Sequence, residues 1–310
     1  MTARAWLAER IEPGDRQRWE GLGFRGDALR AVPRLAAAVL ADEDAAVHVR
    51  SLAHKLQARI GSYGPTGESI FGSVADESCV ADVGSGQVTV PGGLAIMALL
   101  ATTDDVRAHH ASRGIDDDQS WRTLSDLGQQ VWVHSLTYEN FGLHTHTWLE
   151  TAWSGALQWV GRLQFNLQWY EPGDEAVPGG VSRWVLSTHI PQSGPMTPEV
   201  VQDSLDRARA LFAERYADHP FTEFHCTSWL LDPTLARLPG TNLADFQARW
   251  SLTGEGGDGD ADALFFVFHR RGEVDRADLP RETGLQRLVL DRSVGGEHWR
   301  VLTGLIPLRS

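Results

Sequence analysis

Residues 184–231 read WVLSTHIPQSGPMTPEVVQDSLDRARALFAERYADHPFTEFHCTSWLL, and the order of elements in this stretch sets the fold. Its apolar start belongs to a strand expected over Val181 to Ile190. Pro191-Gln-Ser-Gly-Pro stops that strand, because proline has no N–H to donate to a ladder. Thr197 then supplies a hydroxyl cap, and Pro198 occupies the first helical position, where its missing N–H is not needed. Val201, Leu205, Ala208 and Phe212 recur at helical spacing and mark a buried stripe ending near Tyr216. Phe221 to Leu231 returns as strand. A strand, a glycine- and proline-rich loop, a capped helix and a second strand form a crossover unit. The helix N-terminus presents N–H groups and a positive dipole end suited to a pyrophosphate.

Outward from this unit the texture differs on the two sides. Upstream, Leu163-Gln-Phe-Asn-Leu-Gln-Trp-Tyr alternates apolar with polar, which predicts a half-buried strand. Glu171-Pro-Gly-Asp and Pro178-Gly-Gly are turn chemistry. Downstream, TGEGGDGDADA (253–263) predicts an acidic loop, Leu264 to His269 an apolar strand, Leu279 to Val294 a helix, and Trp299 to Leu308 a closing strand. The first third reads as helix: Asp27 to Leu40, Val47 to Ile60, Leu94 to Leu100 and Ser120 to Tyr138, the last with Thr123 or Ser125 as cap. The expected architecture is α/β (α+β): a mostly helical domain over residues 1–150, followed by a mixed-sheet domain over 151–310. No internal repeat is visible.

The 310 residues include 28 Lys and Arg against 41 Asp and Glu, a net charge of −13. Nucleic-acid binding needs a cationic face, so the balance argues against it. The longest apolar run, Leu94 to Ala101, is too short to span a bilayer, and the charged start MTARAWLAERIEPGDRQRWE has no signal-peptide core. The expected location is cytoplasmic, with no membrane partner. Cys79 and Cys226 have neither metal-ligand nor disulfide-framework spacing. Several weak motifs lose to plainer readings. Val80-Ala-Asp-Val-Gly-Ser-Gly imitates a cofactor loop but reads as a hairpin. Gly256-Gly-Asp-Gly-Asp lacks the downstream glutamate of a calcium loop. His144, His146 and Glu150 have metal-binding donor types without a fixed third ligand, and no metal is expected.

Five blocks together resemble a known family. They are Val106 to Gly142, with HHASRGIDDDQSWRTLSDLGQQVWVH at 109–134; WSGALQWVGRLQFNL (153–167); THIPQSGPMTPEVVQDSL (188–205); FHCTSWLLDP (224–233); and Leu279 to Gly304. They look like a bacterial acyltransferase-domain family that joins an N-terminal helical domain to a GNAT-like (acyl-CoA N-acyltransferase) C-terminal domain. The resemblance implies acetyl-CoA or another acyl-CoA, held between two splayed parallel strands that contain His189 and His225. It also implies a coenzyme-binding loop of Ile190, Gln192, Ser193, Gly194, Met196 and Thr197. Two departures stand out. Gln192 and Gly194 are closer together than in the usual GNAT phosphate loop, and Asp232-Pro-Thr-Leu-Ala-Arg-Leu holds no tyrosine to protonate the leaving thiolate.

For acyl transfer, the attacking amine or hydroxyl must lose a proton, and imidazole is the side chain that titrates near neutrality. His189 is the expected proton acceptor, with His225 as runner-up. Cys226 and Ser228 lie on the same strand as His225, but Cys226 points to the opposite face. Trp153 and Trp159 are expected to wall an acceptor pocket. The expected function is transfer of an acyl group to an amine or hydroxyl of a small molecule. The alternatives are a non-catalytic acyl-CoA or metabolite binding protein and a Cys226/His225 thioester hydrolase.

Overall fold

The computed structural model describes residues 1–11, 15–64, 68–84, 86–170 and 182–308. The turns expected at 171–174 and 178–180, and the strand start at Val181, lie outside these residues. Contacts divide the chain into two compact units, Met1–Trp159 and Val160–Ser310.

The first unit is helical. It contains α1 (Ala3–Ala8), α2 (Arg16–Gly21), α3 (Ala28–Ala41), α4 (Glu43–Arg59), the strands β1 (Cys79–Asp82) and β2 (Gln87–Val90), then α5 (Gly93–Ser112), α6 (Asp117–Leu124), α7 (Asp126–Tyr138) and α8 (His146–Trp153). β3 (Leu157–Val160) leads to the boundary. α5 is its central rod. Every residue from Gly93 to Thr103 is buried, so the first half of this helix is buried all round, as expected of one surrounded by others. The helix expected over Ser120 to Tyr138 is two helices. Asp116 caps the first through Gln119 N, and Ser125 sits between them with its hydroxyl donating to the Arg122 carbonyl. In α4 the buried positions are Ala46, Val49, Leu52, Ala53 and Leu56, and Val47 is exposed. β1 and β2 form the expected antiparallel hairpin.

The second unit holds β4 (Leu163–Tyr170), β5 (Arg183–His189), α9 (Pro198–Arg215), β6 (Phe221–Ser228), α10 (Leu243–Gln247), β7 (Ser251–Asp258), α11 (Asp260–Phe268), α12 (Gly284–Val294) and β8 (Arg300–Pro307). Within it the strands run β4-β5-β6-β8-β7. The β5–β6 pair is parallel and its neighbours are antiparallel, so the sheet is mixed. α9 makes the crossover between the parallel strands, with Thr197 as cap, Pro198 in the first turn, and Val201, Leu205, Ala208 and Phe212 buried.

The helix expected from Leu279 begins at Gly284 and the strand expected to Leu231 ends at Ser228, and two further segments change type. The acidic glycine-rich stretch is strand β7, with a bulge between Thr253 and Gly257 where it pairs with β8. Glycine removes the side chains that would collide there: a Cβ on Gly256 would meet Leu302 and the Val301 carbonyl. The run from Leu264 to His269 is helical, because α11 starts at Asp260 and buries Ala263, Phe265 and Phe268. A short apolar run fits either state, and here the acidic first turn of Asp260 and Asp262 favours helix. Among the described residues, no helix is long and apolar enough to cross a membrane.

Candidate active site on the polar face of the C-terminal sheet

Alternation along the strands gives the second unit's sheet two unlike faces. Phe165, Leu167, Leu186, Phe224 and Cys226 occupy one face and are buried. The other face carries Gln164, Asn166, Gln168 and Tyr170 on β4, opposite Arg183, Val185, Ser187 and His189 on β5. It continues through the Ser187–His225 pairing to Glu223, His225 and Thr227 on β6, and to Thr303 on β8. The strand around Asn166 is therefore not half-buried as expected. Gln164, Asn166, Ser187, His225 and Thr303 are all buried, so the polar stripe is covered as well as the apolar one.

β5 and β6 separate at this face. Their parallel pairing ends at Ser187 and His225. Beyond it, Thr188 and His189 pair only with β4, while Cys226 to Ser228 pair with β8. Each departing strand keeps its outer partner, so the splay is held open by the rest of the ladder. His189 lies just past the fork and His225 at it.

The two imidazoles are held differently. Asn166 Nδ2 donates to the Leu167 carbonyl at 2.9 Å, which turns its Oδ1 toward His189 Nε2 at 2.6 Å. An amide oxygen only accepts, so the proton sits on Nε2 and the lone pair on Nδ1. His189 retains some exposure at the strand end, yet it is packed closely by protein atoms. Burial, with the neighbouring His225 imidazole as second cause, pushes its pKa down to about 3. The ring is neutral at pH 7 and in the proton-accepting state. His225 is enclosed: Tyr170 Oη lies 2.6 Å and Thr227 Oγ1 3.2 Å from Nε2, and Ser187 Oγ 3.4 Å from Nδ1. Thr227 continues to Thr303 at 2.8 Å. Both nitrogens of His225 are engaged within the sheet. Beside them, Arg183 Nε donates to Glu223 Oε1 at 2.7 Å.

The loop after His189 rests on Arg162, whose guanidinium donates to the carbonyls of Pro191 (2.8 Å) and Gly194 (3.0 Å) and reaches Ser193 Oγ at 3.4 Å. Gly194 has φ +102° and open space around it, a conformation glycine adopts without strain. Thr197 caps α9 through Val200 N, and Arg249 donates to the Pro198 carbonyl at 3.0 Å. In a chain of net charge −13, one arginine thus braces the loop and a second the first residue of the 18-residue helix that follows it. Ile190, Ser193, Met196 and Thr197 are partly buried, while Gln192 and Gly194 are exposed.

The remaining expected residues make other contacts. Cys226 is fully buried on the apolar face, where burial pushes its thiol up to about 12. Ser228 caps a short 3₁₀ turn by accepting from Leu230 N. Trp153 belongs to the first unit's core, its indole N–H donating to the Leu99 carbonyl at 2.8 Å. Trp159 is buried beneath the Arg122 guanidinium, 4.0 Å from the ring centre. His146 bonds the Gly72 carbonyl, and Glu150 pairs with Arg59 and accepts from Ile70 N. Asn166, Tyr170, Thr227 and Arg162 were not anticipated. The polar positions of the 163–170 alternation carried the signal, but solvent explains polar positions equally well until their burial is known.

Comparison with known proteins fits this geometry. An N-acyltransferase N-terminal domain profile matches residues 16–155, and a GNAT-like C-terminal domain profile matches 157–306. The chain belongs to this two-domain acyltransferase family. Its fold is shared with solved acyltransferases. One, in complex with decanoyl-CoA and teicoplanin, is 27% identical at TM-score 0.76, over 98% of this chain and 95% of that one. A mutant acyltransferase in complex with octanoyl-CoA is 25% identical at TM-score 0.77 over the same shares. A third, with decanoyl-CoA, is 27% identical at TM-score 0.74 over the full length of both chains. No curated protein matches the chain significantly.

Proposed function

We propose that this chain transfers an acyl group from an acyl-CoA to an amine or hydroxyl of a small molecule, with His189 as proton acceptor. The observation that carries the proposal is the strand fork at Ser187 and His225, with a neutral imidazole of fixed tautomer beside it. The relatives of similar fold that bind decanoyl-CoA or octanoyl-CoA support acyl-CoA as the acyl donor.

Separated strands leave backbone groups facing the fork, which suits an extended amide-bearing chain such as pantetheine. The loop from Ile190 to Thr197 fits the phosphates. The N–H groups of Gln192, Ser193, Gly194, Met196 and Thr197 remain despite two prolines, and Arg162 and Arg249 supply positive charge beneath and beside them.

As the acceptor's nitrogen or oxygen bonds to the thioester carbon, its proton passes to His189 Nδ1. The imidazolium then donates through Nε2–H to Asn166 Oδ1 and is balanced by the negative charge developing on the former carbonyl oxygen. Collapse breaks the carbon–sulfur bond, and the same proton leaves Nδ1 for the departing thiolate. A tyrosine after β6 is not required in this sequence. His225, tied to Tyr170, Ser187 and Thr227, holds the fork in shape.

The test is thiol release from decanoyl-CoA with and without acceptors, beginning with teicoplanin and simple amines. Release that depends on acceptor, with an acylated product by mass, is expected. Release without acceptor indicates a hydrolase, and binding without release indicates a binding protein.

A further inference from the structure

Along the polar stripe around His189, hydrogen bonding is satisfied within the sheet at Asn166, Tyr170, Ser187, Thr227 and Thr303. Gln164 is the exception among the buried described residues of that stripe. Its side chain is buried, at 2% exposure, and its Nε2 has no hydrogen-bond partner. A buried amide N–H₂ left unpaired carries a desolvation cost that proteins seldom retain without use. Thr188 Oγ1 is also unpaired, but it projects from the opposite, apolar face.

Gln164 is directly opposite His189 in the β4–β5 register. Side chains of such a pair start about 4.5–5.5 Å apart and point the same way. Whatever group His189 deprotonates therefore stands beside the Gln164 amide. β5 separates Gln164 from the fork where the thioester would run, so the amide is not placed along the coenzyme.

We propose that Gln164 reads the acceptor: its Nε2–H donates to an oxygen next to the attacking nitrogen or hydroxyl. The substrate class is thereby a vicinal amino alcohol or diol rather than a simple alkyl amine or alcohol. This rests on the acyl-transfer reading. The unpaired donor would discriminate because a substrate lacking that oxygen leaves it unsatisfied in the complex, at a cost of about tenfold to hundredfold in kcat/KM.

The experiment measures acylation of 2-aminocyclohexanol and cyclohexylamine from decanoyl-CoA, in the wild type and in Gln164→Met, which keeps the side-chain volume. The wild type is expected to favour the amino alcohol by about tenfold to hundredfold. Gln164→Met should lose that preference while its KM for decanoyl-CoA and its melting temperature stay unchanged. A wild type without preference, a preference retained in Gln164→Met, or an equal loss for both amines overturns the proposal. If Gln164→Met is poorly folded, Gln164→Leu in the same comparison serves instead: its side chain can neither donate nor accept, so the preference must again vanish. Thiol release with neither amine acylated, in the wild type, rejects the acyl-transfer reading itself and this proposal with it.

Discussion

Asn166 is the residue through which the His189 imidazole can be tuned. Its amide accepts from Nε2–H without adding charge, and burial lowers the ring's pKa to about 3. Asn166→Asp would place a carboxylate at the same 2.6 Å contact and raise the pKa of His189, because an opposite charge favours the protonated ring. The acid limb of the pH–rate profile is then expected to move to higher pH, and a pH series of initial rates checks it. An unmoved limb would place the titrating group elsewhere. The sequence made His189 a candidate through its place before Ile190-Pro191. It could not reveal Asn166 as the group that fixes the tautomer, since that requires knowing which strand pairs with which and in what register.

At the scale of elements, the reading from sequence was most accurate where local chemistry dominates. Thr197 and Pro198 open α9, and Phe212 and Tyr216 mark its end. It was least accurate where tertiary packing decides. The TGEGGDGD stretch looked like a loop and is strand β7, because β8 supplies the ladder that its own composition does not promise. Two predictions belong here. Arg162→Met removes the contacts to Pro191, Gly194 and Ser193, so the loop loses both its brace and a nearby cation. Acyl-CoA affinity should fall by about tenfold to hundredfold, measured by calorimetry, with the melting temperature little changed. An unchanged affinity would remove the loop from the coenzyme site. Gly128→Ala tests the packing of α7: a Cβ there would lie 1.9 Å from the Gly23 carbonyl carbon, a backbone atom that cannot swing away. The expected loss is about 3 kcal/mol or more, read from urea unfolding.

For the whole molecule, buried histidines couple stability to pH, two of them most strongly. Burial holds His110 down to about 4 and His189 down to about 3, against roughly 6.5 in an unfolded chain. Between those values the unfolded state binds more protons than the native one, so stability rises with pH. Acidification through about 6.5 should therefore lower the melting temperature progressively, and His189→Gln should show a shallower fall between pH 7 and 4.5. Equal slopes would mean that His189 is not buried in its neutral form. The succession of a helical region by a mixed sheet is legible as a change of texture from about Trp153, from helical spacing to strand alternation. The covering of the sheet's polar face is not, because an alternating strand looks the same whether its polar side meets water or protein. The central claim is that His189 takes the acceptor's proton, and single-turnover kinetics test it most directly. Wild type and His189→Gln are preloaded with decanoyl-CoA, mixed with an acceptor, and followed for acylated product, with decanoyl-CoA affinity measured separately. A rate lower by about 10²–10⁴-fold in His189→Gln with affinity nearly unchanged is expected; an undiminished rate would remove His189 from the proton transfer.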